Sequence, residues 1–188
     1  MTDFVVLLRG VNVGKARRVP MADFKALLLG MGCTRATTLL NSGNAVVRSP
    51  LKRSAALASA VQAAITAHFG FSVPVVVKSA AEWSAIVQAN TLAAGVADPS
   101  RLLVVLSQDT QGLAALQPLH ALLLPGEQLL LQPQAAYLHC AGGILQSRAG
   151  EALLGRLGQG ITTRNWATVL KLQALLATDD SQRPQNVR

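Results

Sequence analysis

The order of apolar segments in the first 78 residues constrains the fold more than any other feature of this chain. Four apolar runs have the length of β-strands: residues 4–8, 37–40, 45–48 and 73–78. Two segments between them have the periodicity of amphipathic helices: residues 20–31 and 54–69. The resulting order is β-α-β-β-α-β, the ferredoxin-like split β-α-β arrangement. In that topology the loop after the first strand and the hairpin after the second emerge at the same end of the sheet.

The second half of the chain repeats this pattern less clearly. Strands are predicted at residues 102–106, 128–132, 136–140 and 161–162. Helices are predicted from residue 109 or 110 to about 123, from 144 to about 157, and from 165 to about 176, the last capped by Thr162 or Thr163. A further helix is predicted at residues 80–88, followed by a linker at residues 90–100 with Gly95 and Pro99.

We therefore predict an α+β protein of two ferredoxin-like β-α-β-β-α-β lobes with antiparallel or mixed sheets, a linking helix and a C-terminal helix. The first lobe covers residues 1–79, and residues 80–100 form the linking helix and linker. The second lobe with its C-terminal helix covers residues 101–178, and residues 179–188 form a mobile tail.

Hydropathy and cysteine content favour a cytoplasmic protein. Half of the 188 residues are hydrophobic, but the longest weakly polar run, residues 55–67, is too short to span a bilayer. We therefore expect no membrane partner, and the start of the sequence, which lacks a basic segment, predicts no signal peptide. We expect Cys33 and Cys140 to be reduced and buried.

The net positive charge of the chain comes entirely from residues 1–80. Residues 1–80 contain ten Lys or Arg and two acids, whereas residues 81–188 contain seven of each, and the formal net charge is +8. Such asymmetry indicates a polyanionic or phosphorylated partner, although a basic surface can also serve only solubility.

The loop after the first strand has the features of a phosphate cradle. Gly10 and Gly14 permit close backbone approach, and the N-terminus of the following helix favours anions. It is not a P-loop, because only three residues separate the glycines and Ala16 stands where Ser or Thr would hold Mg²⁺. The cations that would contact phosphate groups are Arg9, Lys15, Arg17 and Arg18. The alternative is a solvated loop whose glycines serve only the turn.

Residues 41–44 predict a tight hairpin, since Gly and Asn tolerate positive φ. The side chains of Asn41, Ser42 and Asn44 would bind a ligand or satisfy the hairpin itself. Both interpretations stay open at the level of sequence.

Residues 162–166 predict the start of the final helix. Arg164 and Asn165 would face outward near the positive end of that helix and provide a second anion contact.

Catalytic and metal-binding patterns are not found. His68, His120 and His139 have no metal-ligand spacing, and the three Glu and six Asp form no acid/base dyad. We therefore expect no metal and no cofactor, and we assign no catalytic residue.

Four blocks are recognisable together: residues 7–14 (LLRGVNVG), 19–21 (VPM), 41–44 (NSGN) and 162–166 (TTRNW). They resemble the signature blocks of an uncharacterised bacterial family, domain of unknown function 1697. The resemblance implies a cytoplasmic α+β protein with ferredoxin-like lobes, and no established activity, substrate or cofactor. The chain departs from the family at two positions: Lys15 stands where members often have a second glycine, and Asn41 where they often have Gln.

The leading prediction from the sequence is a protein that binds a phosphate-bearing ligand, with nucleic acid as the favoured polymer. The candidate contacts are Arg9, Gly10, Asn12, Gly14, Lys15, Arg17, Arg18, Asn41, Ser42, Asn44, Arg164 and Asn165. The first alternative is an enzyme that acts on a small anionic substrate between the lobes, with Arg9 and Asn12 orienting the anion. The second is a protein-interaction module whose charge is incidental. The oligomeric state is not predicted.

Overall fold

The computed structural model describes residues 1–14, 17–155 and 160–180. In these ranges the strands are β1 (Thr2–Leu8), β2 (Arg35–Leu39), β3 (Asn44–Ser49), β4 (Val75–Ser79), β5 (Leu102–Ser107), β6 (Gln128–Leu131), β7 (Ala136–His139) and β8 (Ile161–Asn165). The α-helices of the same ranges are α1 (Met21–Gly30), α2 (Ser54–Phe69), α3 (Ala80–Gln88), α4 (Thr110–Ala114), α5 (Arg148–Leu154) and α6 (Trp166–Asp180). Within these residues, no helix is both long and apolar enough to cross a bilayer.

The first four strands form an antiparallel sheet in the order β2-β3-β1-β4, which confirms the predicted ferredoxin-like topology. β1 is central and is buried on both faces from Phe4 to its end. Because side chains alternate along a strand, Phe4, Val6 and Leu8 pack with α1 and α2, whereas Val5 and Leu7 join a different core cluster. This double burial explains the continuous apolar run in the sequence.

The last four strands repeat the arrangement in the order β6-β7-β5-β8, again antiparallel. β5 is the central strand, and its residues also alternate between two cores. Leu103 and Val105 pack with α5 and the segment after α4, whereas Leu102, Val104 and Leu106 face the core shared with the first sheet. The protein is therefore an α+β fold with two four-stranded sheets.

The two sheets share one hydrophobic core. Val5 and Leu7 of β1 and the alternate residues of β5 meet the buried Trp83 of α3 and Trp166 of α6 there. The Tyr137 hydroxyl donates a hydrogen bond to the Ile86 carbonyl at 2.6 Å, which ties β7 to α3. Burial raises the pKa of Tyr137 to about 12, so this hydroxyl keeps its proton at neutral pH.

The predicted linker is not an extended spacer. Two short 3-10 helices lie within it, at Thr91–Gly95 and Pro99–Arg101, and Leu92, Ala93 and Val96 pack against the shared core. The division of the chain into domains at residues 79 and 100 stays a prediction. α6 continues to Asp180, two residues into the predicted tail, and residues 181–188 lie outside the described part of the chain.

The sequence-based prediction of one helix from residue 109 or 110 to 123 is wrong. α4 ends at Ala114, and a separate 3-10 helix occupies Gln117–Leu122. Pro118 explains the break, because proline has no N–H for an interior helical hydrogen bond and its ring clashes with the preceding turn.

The predicted helix from residue 144 to about 157 is also divided. A 3-10 turn at Ile144–Gln146 is followed by Ser147, whose hydroxyl accepts a hydrogen bond from Gly150 N at 3.0 Å and so caps α5. A Cβ on Gly150 would lie 2.9 Å from the Ile144 carbonyl oxygen, so this close turn requires glycine. Residues 156–159 lie outside the described residues.

Ser54, the first residue of α2, joins this helix to α3. Its hydroxyl donates a 2.6 Å hydrogen bond to the Glu82 carboxylate, which also forms a capping box with Ser79 at the start of α3. Partial burial raises the pKa of Glu82, but the hydrogen bonds from Ser54 and Ser79 outweigh it and leave this pKa below its ordinary value.

The prediction that β8 ends at residue 162 is wrong, as is the expected helix start at Asn165. β8 continues to Asn165 because five of its residues pair with β5. α6 begins at Trp166, and Asn165 rather than Thr162 or Thr163 caps it, since the Asn165 side-chain oxygen accepts from Thr168 N at 2.9 Å.

The hairpin between β2 and β3 depends on Gly43. Its φ is +75°, and a Cβ there would lie 2.6 Å from the Leu8 Cβ and 2.9 Å from a Val11 methyl group. The second left-handed residue of the hairpin is Leu40, at φ +57°, and not one of the asparagines that the sequence predicted for this conformation. The hairpin therefore packs directly on the end of β1.

Gly43→Ala should lower the free energy of unfolding by about 2–4 kcal/mol, through the positive φ and the overlap with Leu8. Gly70→Ala is the matched control, because Gly70 has φ +77° but nothing lies within 4 Å of the added Cβ. We expect a loss of only about 1–2 kcal/mol there. Urea unfolding followed by circular dichroism measures the free energy of unfolding of both variants. Equal losses of this free energy would show that packing on Leu8 does not require Gly43.

Candidate functional site

The basic loop, residues 9–18, leaves the end of β1 and returns to α1. Gly10, Asn12, Gly14 and Arg17 have positive φ, from +52° to +65°, so the described part of the loop turns tightly. Val11 is 2% exposed and packs in the core of the first lobe. The loop is therefore held at its centre, while Val13 and Gly14 are exposed.

Asn12 closes the loop and joins it to the hairpin. Its Nδ2 donates to the Val19 carbonyl at 2.9 Å and to the Asn41 carbonyl at 2.7 Å, and its Oδ1 accepts from Val19 N at 2.9 Å. Both N–H groups of the Asn12 amide are therefore bonded to backbone carbonyls, and the role of Asn12 as a ligand contact stays a prediction. These bonds place the basic loop and the hairpin side by side, as the topology predicted.

The arginines of the loop have no such partners. Arg9 is half-buried, and Arg17 and Arg18 are exposed. None of the three has a carboxylate or hydrogen-bonding partner for its guanidinium within residues 1–14, 17–155 and 160–180. The Arg17 guanidinium lies beside Gly10, 3.9 Å from the position that a Cβ on that glycine would occupy. Lys15, the fourth predicted cation, lies outside the described residues.

Two concavities border the basic loop. The loop pocket has a volume of about 350 Å³ and is lined by Asn12, Gly14, Arg18, Val19, Pro20, Met21 and Asn41. The interlobe cleft has a volume of about 300 Å³ and is lined by residues 8–11, 13, 42, 153–154 and 161–164. Arg18 thus borders the loop pocket, and Arg9 borders the cleft.

Arg164 does not face outward as the sequence predicted. It is 9% exposed and uses all five N–H groups within the protein. Nε donates to the Asn44 side-chain oxygen, and Nη1 donates to the Thr162 hydroxyl and the Thr163 carbonyl, each at 2.8 Å. Nη2 donates to the Leu8 carbonyl at 2.7 Å and the Ser42 carbonyl at 3.0 Å.

The location of Arg164 on a strand explains this correction. β8 directs the side chain toward the end of β1 and the hairpin, where several carbonyl groups need donors. Burial lowers the pKa of Arg164 to about 10, and the guanidinium therefore remains charged at neutral pH. Arg164 is a structural connection between the sheets and has no donor left for an anion. Asn165, the other predicted contact in this block, caps α6.

The hairpin side chains also divide into structural and exposed groups. Asn44 is fully buried, and its Nδ2 donates to the Leu39 carbonyl at 2.8 Å and to the Ser42 hydroxyl at 2.9 Å. With its Oδ1 bonded to Arg164, Asn44 satisfies the hairpin and cannot contact a ligand. Asn41 and Ser42 are exposed, and they border the loop pocket and the cleft respectively.

One wall of the cleft could not be predicted from the sequence. Leu153 and Leu154, at the end of α5, and Ile161 come next to the basic loop only in the folded protein. Val13 of the loop also borders the cleft and was not among the predicted contacts. These residues have ordinary helical and strand patterns, so local sequence could not mark them.

Both cysteines are free and buried, as predicted. Burial raises the pKa of the Cys33 and Cys140 thiols, which outweighs the hydrogen bonds to Ser49 and Ser147. No group of three His, Cys, Asp or Glu that could hold a metal ion is found in the described part of the chain. The basic loop therefore offers guanidinium groups, exposed polar groups of the hairpin and two small concavities.

Two antiparallel sheets of the same topology, joined through a buried arginine beside a basic loop, define a two-lobed α+β protein. The family model described as "Protein of unknown function (DUF1697)" matches residues 1–137, and the chain belongs to that family. The match includes the basic loop and the hairpin, while the block at residues 162–166 lies beyond it.

A solved structure has the same fold. The conserved bacterial protein SP0830 from Streptococcus pneumoniae aligns with a TM-score of 0.77 and 23% sequence identity, over 93% of this chain and 98% of that chain. This similarity supports the two-lobed arrangement. No curated protein matches the sequence.

Arg164→Met should lower the free energy of unfolding by about 3–5 kcal/mol, because the Leu8 and Ser42 carbonyls and the Asn44 side chain lose their buried donor. Arg101→Met is the control, since Arg101 bonds only at the surface, to Asp98 and to the Ala141 carbonyl, and we expect a much smaller loss there. Chemical denaturation measures both. Similarly small losses of unfolding free energy in the two variants would contradict the role of Arg164 in connecting the sheets.

Native Cys33 and Cys140 should react with a thiol reagent at pH 8 at least about 100-fold more slowly than in urea, since the reactive thiolate is both rare and buried. The absorbance of the released chromophore gives the two rates. Fast labelling of either cysteine in the native protein would contradict its burial.

Proposed function

We propose that the protein binds a phosphate-bearing ligand at the basic loop. The observation that carries the proposal is that Arg9, Arg17 and Arg18 lie together on a tightly turned loop without a carboxylate partner among the described residues. Guanidinium groups form strong, charge-assisted hydrogen bonds with phosphate oxygens. A phosphate group would supply the negative charge that no described carboxylate provides there.

The other charges of the first lobe support this proposal. Asp3 is one of only two acids in residues 1–80, and it forms a bidentate pair with Arg48 at 2.9 and 3.0 Å. Asp3 lies at the start of β1, whereas the basic loop follows its end. The acid therefore neutralises a different cation at the opposite end of the sheet.

The proposed contact set is smaller than the one that the sequence predicted. Arg9, Arg17 and Arg18 provide the charge, and exposed Asn41 and Ser42 border the same surface. Lys15 stays a predicted contact, and Gly10 and Gly14 allow the loop to turn. Asn44, Arg164 and Asn165 support the surface from within, and Asn12, which lines the loop pocket, stays a predicted contact.

A nucleic acid is the polymeric ligand that fits this proposal, because its backbone repeats the phosphate group that the arginines would bind.

The second candidate function is an enzyme that acts on a small anionic substrate. The interlobe cleft favours it, since about 300 Å³ lies at the lower end of the range for small-molecule sites. Arg9 would orient the anion in that case.

Replacement of Arg17 and Arg18 by alanine should weaken binding of labelled single-stranded RNA, single-stranded DNA or duplex DNA at least about tenfold at low salt. It should also reduce the slope of log K against log salt concentration by about one to two, which corresponds to the loss of one or two phosphate contacts. Fluorescence anisotropy at two or more salt concentrations measures both effects.

Lys52→Ala/Arg53→Ala is the matched control, because it removes the same charge from two exposed residues beyond the far end of β3. We expect a smaller loss of affinity there. Equal losses in the two variants would indicate that net charge alone drives binding. If the wild-type protein binds no nucleic acid even at low salt, the hypothesis of nucleic-acid binding is wrong. Binding of a small phosphate-bearing ligand is then tested with phosphate esters.

A further inference from the structure

The interlobe cleft has a charged half next to Gly10. Arg9 lines the cleft, and the Arg17 guanidinium lies beside Gly10, which lines it as well. The two arginines belong to one loop whose shape is held by Asn12 and by the buried Val11. Both arginines therefore lie on the loop side of the cleft, Arg9 in its lining and Arg17 beside Gly10.

The other half of the cleft is apolar and comes from both lobes. Val13 of the basic loop is 76% exposed, and Leu154 at the end of α5 is 59% exposed. Behind them, Leu153 and Ile161 are each 2% exposed and continue the apolar wall. Single exposed apolar residues are common on proteins, but these two line one concavity whose inner wall is also apolar.

The floor of the cleft offers no free guanidinium donor. Arg164 lines it, but its five N–H groups are bonded within the protein, and the buried Thr162 hydroxyl accepts one of them, while the exposed Ser42 also lines the cleft. A ligand in the cleft would therefore meet cations on one side and apolar side chains on the other. A fully polar anion would leave the apolar half without a partner.

We infer that the interlobe cleft binds a phosphate monoester that carries a compact apolar group, such as a single ring. Arg9 and Arg17 contact the phosphate, and Val13 and Leu154 cover the apolar group. This inference rests on the proposed function and names the class of ligand for it. The cleft volume of about 300 Å³ suits a phosphate with one ring.

The test compares three probes by isothermal titration calorimetry with the full chain: inorganic phosphate, glycerol 2-phosphate and phenyl phosphate. The two esters carry the same charged group and differ in the polarity of the rest of the molecule. We expect phenyl phosphate to bind about tenfold more tightly than glycerol 2-phosphate, because the ring removes apolar surface from water.

Leu154→Ser should abolish this tenfold preference by weakening the binding of phenyl phosphate. Leu145→Ser is the control, since Leu145 is 85% exposed in the same lobe and does not line the cleft. Arg9→Ala/Arg17→Ala should weaken binding of both esters about equally. Circular dichroism of each variant checks that the fold is retained.

Equal affinity for the two esters, or a preference that survives Leu154→Ser, would overturn this inference and leave phosphate binding at the basic loop intact. Binding of nucleic acid without binding of any small probe would also overturn this inference, and it would favour a nucleic acid as the ligand of the basic loop. Failure of all probes and of nucleic acid would overturn the proposed function as well.

Discussion

The hydrogen bonds of the buried Arg164 guanidinium are the interaction on which the rest of the site depends. They join β8 of the second sheet to the end of β1 and to the hairpin of the first. Burial of a cation without a carboxylate partner among the described residues is costly, and five hydrogen bonds to oxygen atoms offset that cost. Because the acceptors include the residues on which the basic loop and hairpin rest, the position of that surface depends on contact between the lobes.

This connection explains why polar residues of similar appearance have different roles. Asn12 and Asn44 hold backbone groups in place, whereas the arginines at positions 9, 17 and 18 keep their guanidinium groups free of partners among the described residues. A loop that carries unneutralised charge must be held by other interactions, and here the Asn12 amide and the Val11 side chain provide them. The same arrangement places the loop between two concavities, one within the first lobe and one between the lobes.

Much of the fold could be predicted from local patterns. Both sheets have the predicted strand order, and β1 is buried on both faces as its continuous apolar run indicated. The errors lie where a single residue changes a local structure, at Pro118 between α4 and a 3-10 helix and at Ser147 before α5. The candidate site was predicted less well, because the sequence marked charged and amide residues without showing which were already bonded within the protein.

The sequence by itself determined the order of strands and helices, the concentration of positive charge in the first half, and the glycines that allow the basic loop and hairpin to turn. These properties depend on residue type and on spacing along a few turns of chain. Only the tertiary structure decided that Arg164 is buried and that α5 forms one wall of the cleft. The physical reason is distance along the chain: Arg164 bonds to the Leu8 carbonyl from 156 residues away, and no local periodicity encodes such a partner.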